Sequence, residues 1–241
     1  MAHAPTGKTA VFLEYSATGK DSSTKMINTA DGFCYLMKKY GHQHTRDTCT
    51  ITENSGVYYV EDQDGDDGNI CAAGCIKSWS ASKGKAASSE YKVTSEDGSV
   101  TMVSTSTGFC YLTTVHSHQN TAETCTITKG EVSGKTGNYW ILNDEGGDDG
   151  NICGARCVNV PESDHPVSSE HKVTTKDGSA DTGVNVDDGF CFLTTDHGHQ
   201  STYETCEITQ DAVEGKTGKY WGVHDLNGDS NNICGARCIT Y

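Results

Sequence analysis

The chain has 241 residues, 12 cysteines and a formal net charge of −15. Its 18 lysines and arginines form no cluster, which argues against nucleic acid and anionic lipid as partners, because both reward a basic patch. No stretch contains the roughly 18 consecutive apolar residues of a membrane span, so we expect no membrane insertion.

One pattern occurs three times along the chain. Each copy contains a GFC-Tyr/Phe-Leu segment, a His-x-His sequence, a Thr-Cys pair, an acidic glycine-rich segment and a Cys-x-x-x-Cys sequence, in that order. The copies begin at Gly32, Gly108 and Gly189. The predicted organisation is a disordered lead over residues 1–8, followed by β repeats over residues 9–78, 79–159 and 160–241.

Each repeat contains four cysteines at a constant spacing. The first and second are 15 residues apart, and the third and fourth are 4 residues apart. This pattern predicts two disulfides per repeat and a secreted protein, because a core of about 80 residues is marginal without such links. Zinc is the alternative, although the CxxC pairs of zinc ribbons are absent. Four cysteines allow three pairings, among which the spacing does not choose; we favour first with fourth and second with third.

Short β-type segments alternate with turns in every repeat, and no segment has helical periodicity over three turns. The predicted class is all-β, with four or five short strands in each repeat. The linker-like segments 78–89 and 160–169 favour three tandem, disulfide-stapled β domains; one pseudo-three-fold β assembly is the alternative. Trp79, in the first linker, is expected to pack at a domain interface.

The His-x-His sequence is the first candidate site. In an extended chain, residues i and i+2 project to the same side, so two imidazoles share a face suited to a polar ligand or a metal ion. The adjacent glutamines add amide groups that suit sugar hydroxyls. The alternative is a solvated loop whose histidines bond to the backbone. The candidate residues are His42, Gln43, His44, His116, His118, Gln119, His197, His199 and Gln200.

The acidic segment before the Cys-x-x-x-Cys pair is the second candidate, because alternating carboxylate and amide oxygens are calcium ligands. It is not an EF-hand, since Asp67 occupies the position of the invariant glycine. An Asx-rich turn held by the adjacent disulfide is the alternative. Calcium is the one cofactor that the sequence indicates. The candidate ligands are Asp62, Asp64, Asp66, Asp67, Asn69, Asp144, Asp148, Asp149, Asn151, Asp225, Asp229 and Asn231.

The third candidate is the aromatic strand of each repeat. If the segment is a strand, one ring of each aromatic pair faces the core and the other faces solvent, where it could stack on the apolar face of a sugar. The alternative is a core aromatic. The candidate rings are Tyr59, Trp140 and Trp221. Arg156 and Arg237 complete the candidate ligand-binding set, and Gly74 replaces them in the first repeat.

The Cys-Tyr/Phe-Leu, Thr-Cys, Tyr-Trp and Ala-Arg-Cys segments resemble a small β-rich module of bacterial pilus-tip, phage and surface adhesins, and of secreted invertebrate proteins. The adhesins include the shufflon-type tips of conjugative pili. The resemblance covers about 50 residues of each repeat and implies recognition of surface glycans. It includes neither the His-x-His sequence nor the acidic segment, so it implies no binding residue.

These observations predict a secreted, multivalent lectin with one shallow site per repeat for glycans on cell surfaces or glycoproteins. An enzyme is not expected, because every reactive side chain occurs three times, whereas a catalytic site is usually built once. The alternative is a structural or adhesive extracellular matrix protein whose acidic loops bind calcium.

Overall fold

The computed structural model describes residues 10–42, 47–63, 67–79, 87–94, 98–117, 123–146, 150–198, 203–227 and 232–241. Every regular element in these ranges is a β-strand, which confirms the all-β prediction. None of the ranges contains a helix that could span a bilayer.

Six strands belong to each repeat. Repeat 1 contains β1 (Val11–Thr18), β2 (Ser23–Asn28), β3 (Gly32–His42), β4 (Asp47–Asn54), β5 (Val57–Gln63) and β6 (Ile70–Lys77). Repeat 2 contains β7 (Tyr91–Val93), β8 (Ser99–Ser104), β9 (Phe109–Ser117), β10 (Glu123–Glu131), β11 (Asn138–Glu145) and β12 (Ile152–Val158). Repeat 3 contains β13 (His171–Val173), β14 (Ser179–Asn185), β15 (Gly189–Gly198), β16 (Tyr203–Ala212), β17 (Lys219–Leu226) and β18 (Ile233–Thr240).

The strands form three six-stranded antiparallel sheets, and each sheet takes three strands from each of two repeats. The sheet of repeats 1 and 2 has the order β2-β5-β4-β9-β12-β7, and that of repeats 2 and 3 has β8-β11-β10-β15-β18-β13. The sheet of repeats 3 and 1 has the order β14-β17-β16-β3-β6-β1. Of the two arrangements that the sequence left open, the structure has the pseudo-three-fold assembly, because in each sheet three strands of one repeat pair with three strands of another.

The core lies where the three repeats meet. The GFC-Tyr/Phe-Leu segments contribute six fully buried rings: Phe33, Tyr35, Phe109, Tyr111, Phe190 and Phe192. The ring centroid of Phe33 lies 5.8 Å from that of Phe109 and 5.8 Å from that of Phe190, so rings of all three repeats are in contact. Trp79 is also buried and packs on Phe190, with a centroid distance of 5.5 Å. Its expected place at an interface is confirmed.

All twelve cysteines form disulfides in the favoured pairing. The bonds are Cys34–Cys75, Cys49–Cys71, Cys110–Cys157, Cys125–Cys153, Cys191–Cys238 and Cys206–Cys234. The second bond of each repeat links two sheets, since β4 and β6 lie in different sheets. None joins two repeats, so contact between repeats is noncovalent. Six disulfides and no free thiol indicate an oxidising environment.

Candidate functional site

The His-x-His and acidic segments of neighbouring repeats flank the same end of a shared sheet. Across the sheet of repeats 1 and 2, Gln63 pairs with Thr48, Thr48 with His116, and His116 with Ile152. We call this line of four paired residues an end row. The other two end rows are Glu145-Thr124-His197-Ile233 and Leu226-Thr205-Tyr40-Ile70. Each candidate site is therefore built by two repeats, not by one.

The first histidine of the pair is used by the junction between repeats. His116 is buried, and its Nδ1 shares a hydrogen bond with Oγ1 of Thr48 in the preceding repeat. His197 makes the equivalent bond with Thr124. One ring nitrogen of each histidine is thus committed to the fold, which limits what these two residues offer to a ligand.

Strand register also changes how the histidines correspond. Tyr40 occupies the strand position of His116 and His197. The histidine pair of repeat 1 therefore begins two residues later, and His42 is equivalent to the second histidine of the other two pairs. His42 is the last residue of β3. The remaining residues of this set lie outside the described ranges: His44, Gln43, His118, Gln119, His199 and Gln200.

The acidic segment is anchored by buried residues at its two ends. Asp62, Asp144 and Asp225 lie within β-strands before it, and Asn69, Asn151 and Asn232 immediately precede the next strand. Asn151 Nδ2 donates to the Gly146 carbonyl at 3.3 Å. Asn232, not the predicted Asn231, is equivalent to Asn69 and Asn151. Asp67 is exposed, and Asp64, Asp66, Asp148, Asp149, Asp229 and Asn231 lie outside the described ranges.

Asp62 and Asp47 form a carboxylate pair in repeat 1. Burial, and then the charge of Asp47 and a hydrogen bond with it, raise the pKa of Asp62 to about 7, while a hydrogen bond with Asn69 opposes the shift. Asp62 therefore keeps its proton to a higher pH than an ordinary carboxyl group does. Within the described ranges, no three His, Cys, Asp or Glu side chains are grouped as a metal site.

The aromatic prediction is wrong for Trp140 and Trp221. Both side chains are buried in the core, where their indole N–H groups donate to the carbonyls of Gly108 and Gly189 at 2.8 and 2.9 Å. Neither ring presents a solvent-exposed face on which a sugar could stack. Tyr58, which is also buried, is their equivalent in repeat 1 by strand register, and Tyr59 lies half-buried on the opposite face of the sheet.

Arg156 packs against the preceding repeat, which argues against its assignment as a free ligand-binding group. Its side chain is buried, and its Nη1 donates to the Ser88 carbonyl at 3.1 Å. The same nitrogen lies 3.5 Å from Oε2 of Glu53, in repeat 1. The guanidinium is therefore held between the two repeats.

Arg237 has the same place one repeat later. Its Nη1 donates to the Ser168 carbonyl at 3.0 Å, and its guanidinium lies 5.8 Å from the ring centroid of Trp140 in repeat 2. Where Gly74 replaces the arginine, Phe12 packs edge-on against Trp221 with a centroid distance of 5.0 Å. These contacts assign both arginines to the junctions.

Repeat 3 also contains a cleft that the sequence did not predict. Of the predicted binding residues, only Trp221 contributes to its lining. The cleft has a volume of about 250 Å³ and lies on the outer face of β14, β16 and β17, lined by Asp181, Asp211, Tyr220, Trp221 and His224 together with smaller residues. The sequence signal is Gly222, which interrupts an otherwise regular strand. Its role becomes clear only when the structure shows that residue 222 lies on the same face as Asp211 and His224.

Comparison of the chain with known protein families, with curated proteins and with solved structures finds no match in any of the three. The resemblance to adhesin modules therefore stays a prediction. Any functional assignment rests on the geometry of the sheet ends and on the chemistry of the side chains there.

Proposed function

We propose that the protein is a secreted, multivalent carbohydrate-binding protein with three composite glycan sites, one beside each end row. The observation that supports this most is the recurrence of the same strand ends at all three sheets. Each time, the strand that carries the histidines of one repeat pairs with the Thr-Cys strand of another. A feature built three times favours binding over catalysis, because a catalytic constellation is usually built once.

The chemistry beside the end rows suits hydroxyl groups. Threonine hydroxyls, imidazoles, carboxylates and amides all lie at or next to these rows, and they offer both donors and acceptors to a polyol. The 33 acidic residues against 18 basic ones also make a neutral ligand a better partner than an anionic one. Glycans of cell surfaces and glycoproteins are the neutral, hydroxyl-rich partners that we propose.

A closed three-part body gives repetition a physical advantage. Shallow sugar sites bind weakly, and linking several can raise the overall affinity by roughly 10² to 10⁴ on a multivalent surface. Because the three sheets share one core, the sites are held at fixed separations instead of on flexible linkers. Binding should then depend on glycan density on the target surface as well as on glycan identity.

A glycan array probed with the intact chain tests this proposal, once with millimolar calcium and once with EDTA. We expect binding to dense glycan spots, with stepwise loss in His42→Ala, His118→Ala and His199→Ala, and near-complete loss in the triple variant. Glu214→Ala, at an exposed position in a turn of repeat 3, is the control that should bind normally. A triple variant that binds as well as the unmodified chain would refute the composite sites.

A structural or adhesive role with calcium is the second candidate, and the Asp47 and Asp62 pair favours it. A divalent cation bound beside this pair would offset the repulsion between the two carboxylates. Calcium should then raise the unfolding temperature of the unmodified chain but not that of Asp62→Asn. A blank glycan array, together with calcium-dependent self-association in sedimentation, would favour this role over the lectin.

A further inference from the structure

The cleft on the outer face of repeat 3 differs from the composite sites in position and composition. It lies within β14, β16 and β17, which all belong to one repeat, and it shares no residue with an end row. Its polar walls are formed by Asp181, Asp211 and His224, and its apolar walls by Tyr220 and neighbouring small side chains.

Gly222 creates the space for this cleft. It lies opposite Asp181 on β14 and Thr209 on β16, at the position that Ile141 occupies in repeat 2 and Tyr59 in repeat 1. A Cβ atom at residue 222 would stand 2.7 Å from both Asp211 Oδ2 and His224 Nε2. Because glycine weakens a strand interior, its presence here is best explained by the two polar groups that approach the backbone.

Asp211 and His224 form a fixed polar pair. Asp211 Oδ2 accepts a hydrogen bond from Thr209 Oγ1 and lies 2.8 Å from His224 Nε2. When the imidazole is neutral, this bond puts the ring proton on Nε2, so Nδ1 becomes an acceptor. Asp211 Oδ1 and His224 Nδ1 are then the remaining acceptor atoms of a pair that is held in place before a ligand arrives, which lowers the entropic cost of binding.

Asp181 and Tyr220, which form the other walls of the cleft, both contact Lys216. Asp181 accepts hydrogen bonds from Lys216 Nζ at 2.5 Å and from the Gly183 amide at 2.8 Å, and these bonds lower its pKa. The same ammonium lies 4.4 Å from the ring centroid of Tyr220. Lys216 therefore offsets the charge of one carboxylate, Asp181, and also contacts the ring that forms the aromatic wall.

The other repeats lack this chemistry. Strand register places Gly130 and Asn54 where Asp211 stands, and Asn143 and Glu61 where His224 stands. The combination of an aspartate, a histidine and a strand glycine thus occurs once. A single, non-repeated group of polar side chains around a cavity differs from the triplicated features of the fold and calls for an explanation of its own.

We infer that this cleft binds one monosaccharide unit. Vicinal hydroxyls would donate to Asp211 and His224, and the apolar face of the sugar would lie against the Tyr220 wall. The volume is below the roughly 300–1,000 Å³ of sites for drug-sized ligands, so it suits one sugar ring. The choice of sugar as ligand rests on the proposed function, whereas the site itself does not depend on the end rows.

The test follows the imidazole signals of the intact protein by NMR while methyl glycosides of galactose, mannose and N-acetylglucosamine are added. The His224 signal is assigned from its loss in His224→Gln. We expect at least one glycoside to shift it saturably. Asp211→Asn, which keeps the side-chain shape, should weaken binding by about tenfold or more, because a hydrogen bond to a charged acceptor is lost. Gly222→Ile, which introduces the residue of repeat 2, should abolish it.

Asn143→Ala, at the matched position of repeat 2, is the control and should bind like the unmodified chain. The inference is overturned if no glycoside shifts His224, if Asp211→Asn binds normally, or if Zn²⁺ shifts the signal while every glycoside fails. A blank glycan array with an intact His224 response would refute the composite sites and support the cleft. Array binding without a His224 response would support the composite sites and refute the cleft.

Discussion

The junctions between consecutive repeats differ from the junction that closes the cycle between repeats 3 and 1. Between repeats 1 and 2, Thr50 and Thr114 hydrogen-bond across β4 and β9 at 2.7 Å. At the equivalent place in the closing junction, Lys38 and Glu207 form an ion pair at 2.6 Å across β3 and β16. The hydroxyl pair is neutral and self-complementary, whereas the ion pair requires two different partners.

The second contact at each junction differs as well. Arg156 and Arg237 lie over the preceding repeat at the consecutive junctions, but Phe12 packs on Trp221 at the closing junction. Three repeats of similar sequence could pair in the wrong order. In a wrong pairing, Lys38 or Glu207 would lie opposite a threonine. Its partly buried charge would then have no partner, which is costly. The difference between junctions therefore helps to specify which strand edges meet.

The largest effect is expected from the core tryptophans beside the junctions. Truncation of a buried tryptophan costs about 3–5 kcal/mol, and we expect Trp221→Ala to reach the upper part of this range. Phe12 loses an apolar partner there, whereas the Arg237 guanidinium beside Trp140 can be rehydrated. Chemical denaturation of the two variants measures the difference. Equal losses for Trp221→Ala and Trp140→Ala would show that the two contacts are equivalent.

An intermediate effect is expected from the closing ion pair. Glu207→Gln should lower the unfolding free energy by about 1–3 kcal/mol, because Lys38 keeps its charge in a partly buried place. Thr50→Val, the matched change at a consecutive junction, should cost only about 1 kcal/mol. The double variant Lys38→Met/Glu207→Met should recover much of the loss of Glu207→Gln. No recovery would mean that charge burial is not the cause.

The smallest expected effect concerns pH and Asp196, whose carboxylate lies 3.9 Å from Lys39 Nζ. Burial raises the pKa of Asp196, and the charges of Lys39 and His197 offset this only in part. The folded state therefore holds this proton at higher pH than the unfolded state does. Its contribution to stability should fall as pH rises from the ordinary carboxyl range through the raised pKa.

The control for this titration is Asp196→Asn, which removes the group. Its unfolding free energy should change less over the same pH range than that of the unmodified chain. Denaturation curves taken in parallel at several pH values decide the matter. An unchanged slope in the variant would assign the pH dependence to another carboxyl group.

The sequence predicted features that depend on local pattern. The β class follows from the short alternating segments, and the disulfide pairing agrees with one of the three that four cysteines allow. The sequence could not predict which strand edges pair, because nothing in the local sequence indicates that Thr48 lies opposite His116. Register also had to be known before Tyr58, and not Tyr59, could be matched to Trp140.

The candidate site shows the same limit. The histidine and acidic segments could be found as repeated words, but their assembly from two repeats at one sheet end depends on tertiary pairing. The cleft of repeat 3 depends on three residues, Asp211, Gly222 and His224, that repeat nowhere else. A search for recurring residues passes over them for that reason.

Zero-length cross-linking tests closure of the cycle most directly. A carbodiimide joins an ammonium to a carboxylate only when they touch, and Lys38 and Glu207 are 2.6 Å apart although they belong to the first and last repeats. Peptide mass spectrometry of the cross-linked monomer should find Lys38 coupled to Glu207, and the link should vanish in Glu207→Gln. Lys77 and Asp31, 3.4 Å apart within repeat 1, serve as the internal control. Coupling of the control pair alone, or a Lys38–Glu207 link found only in cross-linked dimers, would contradict the closed assembly.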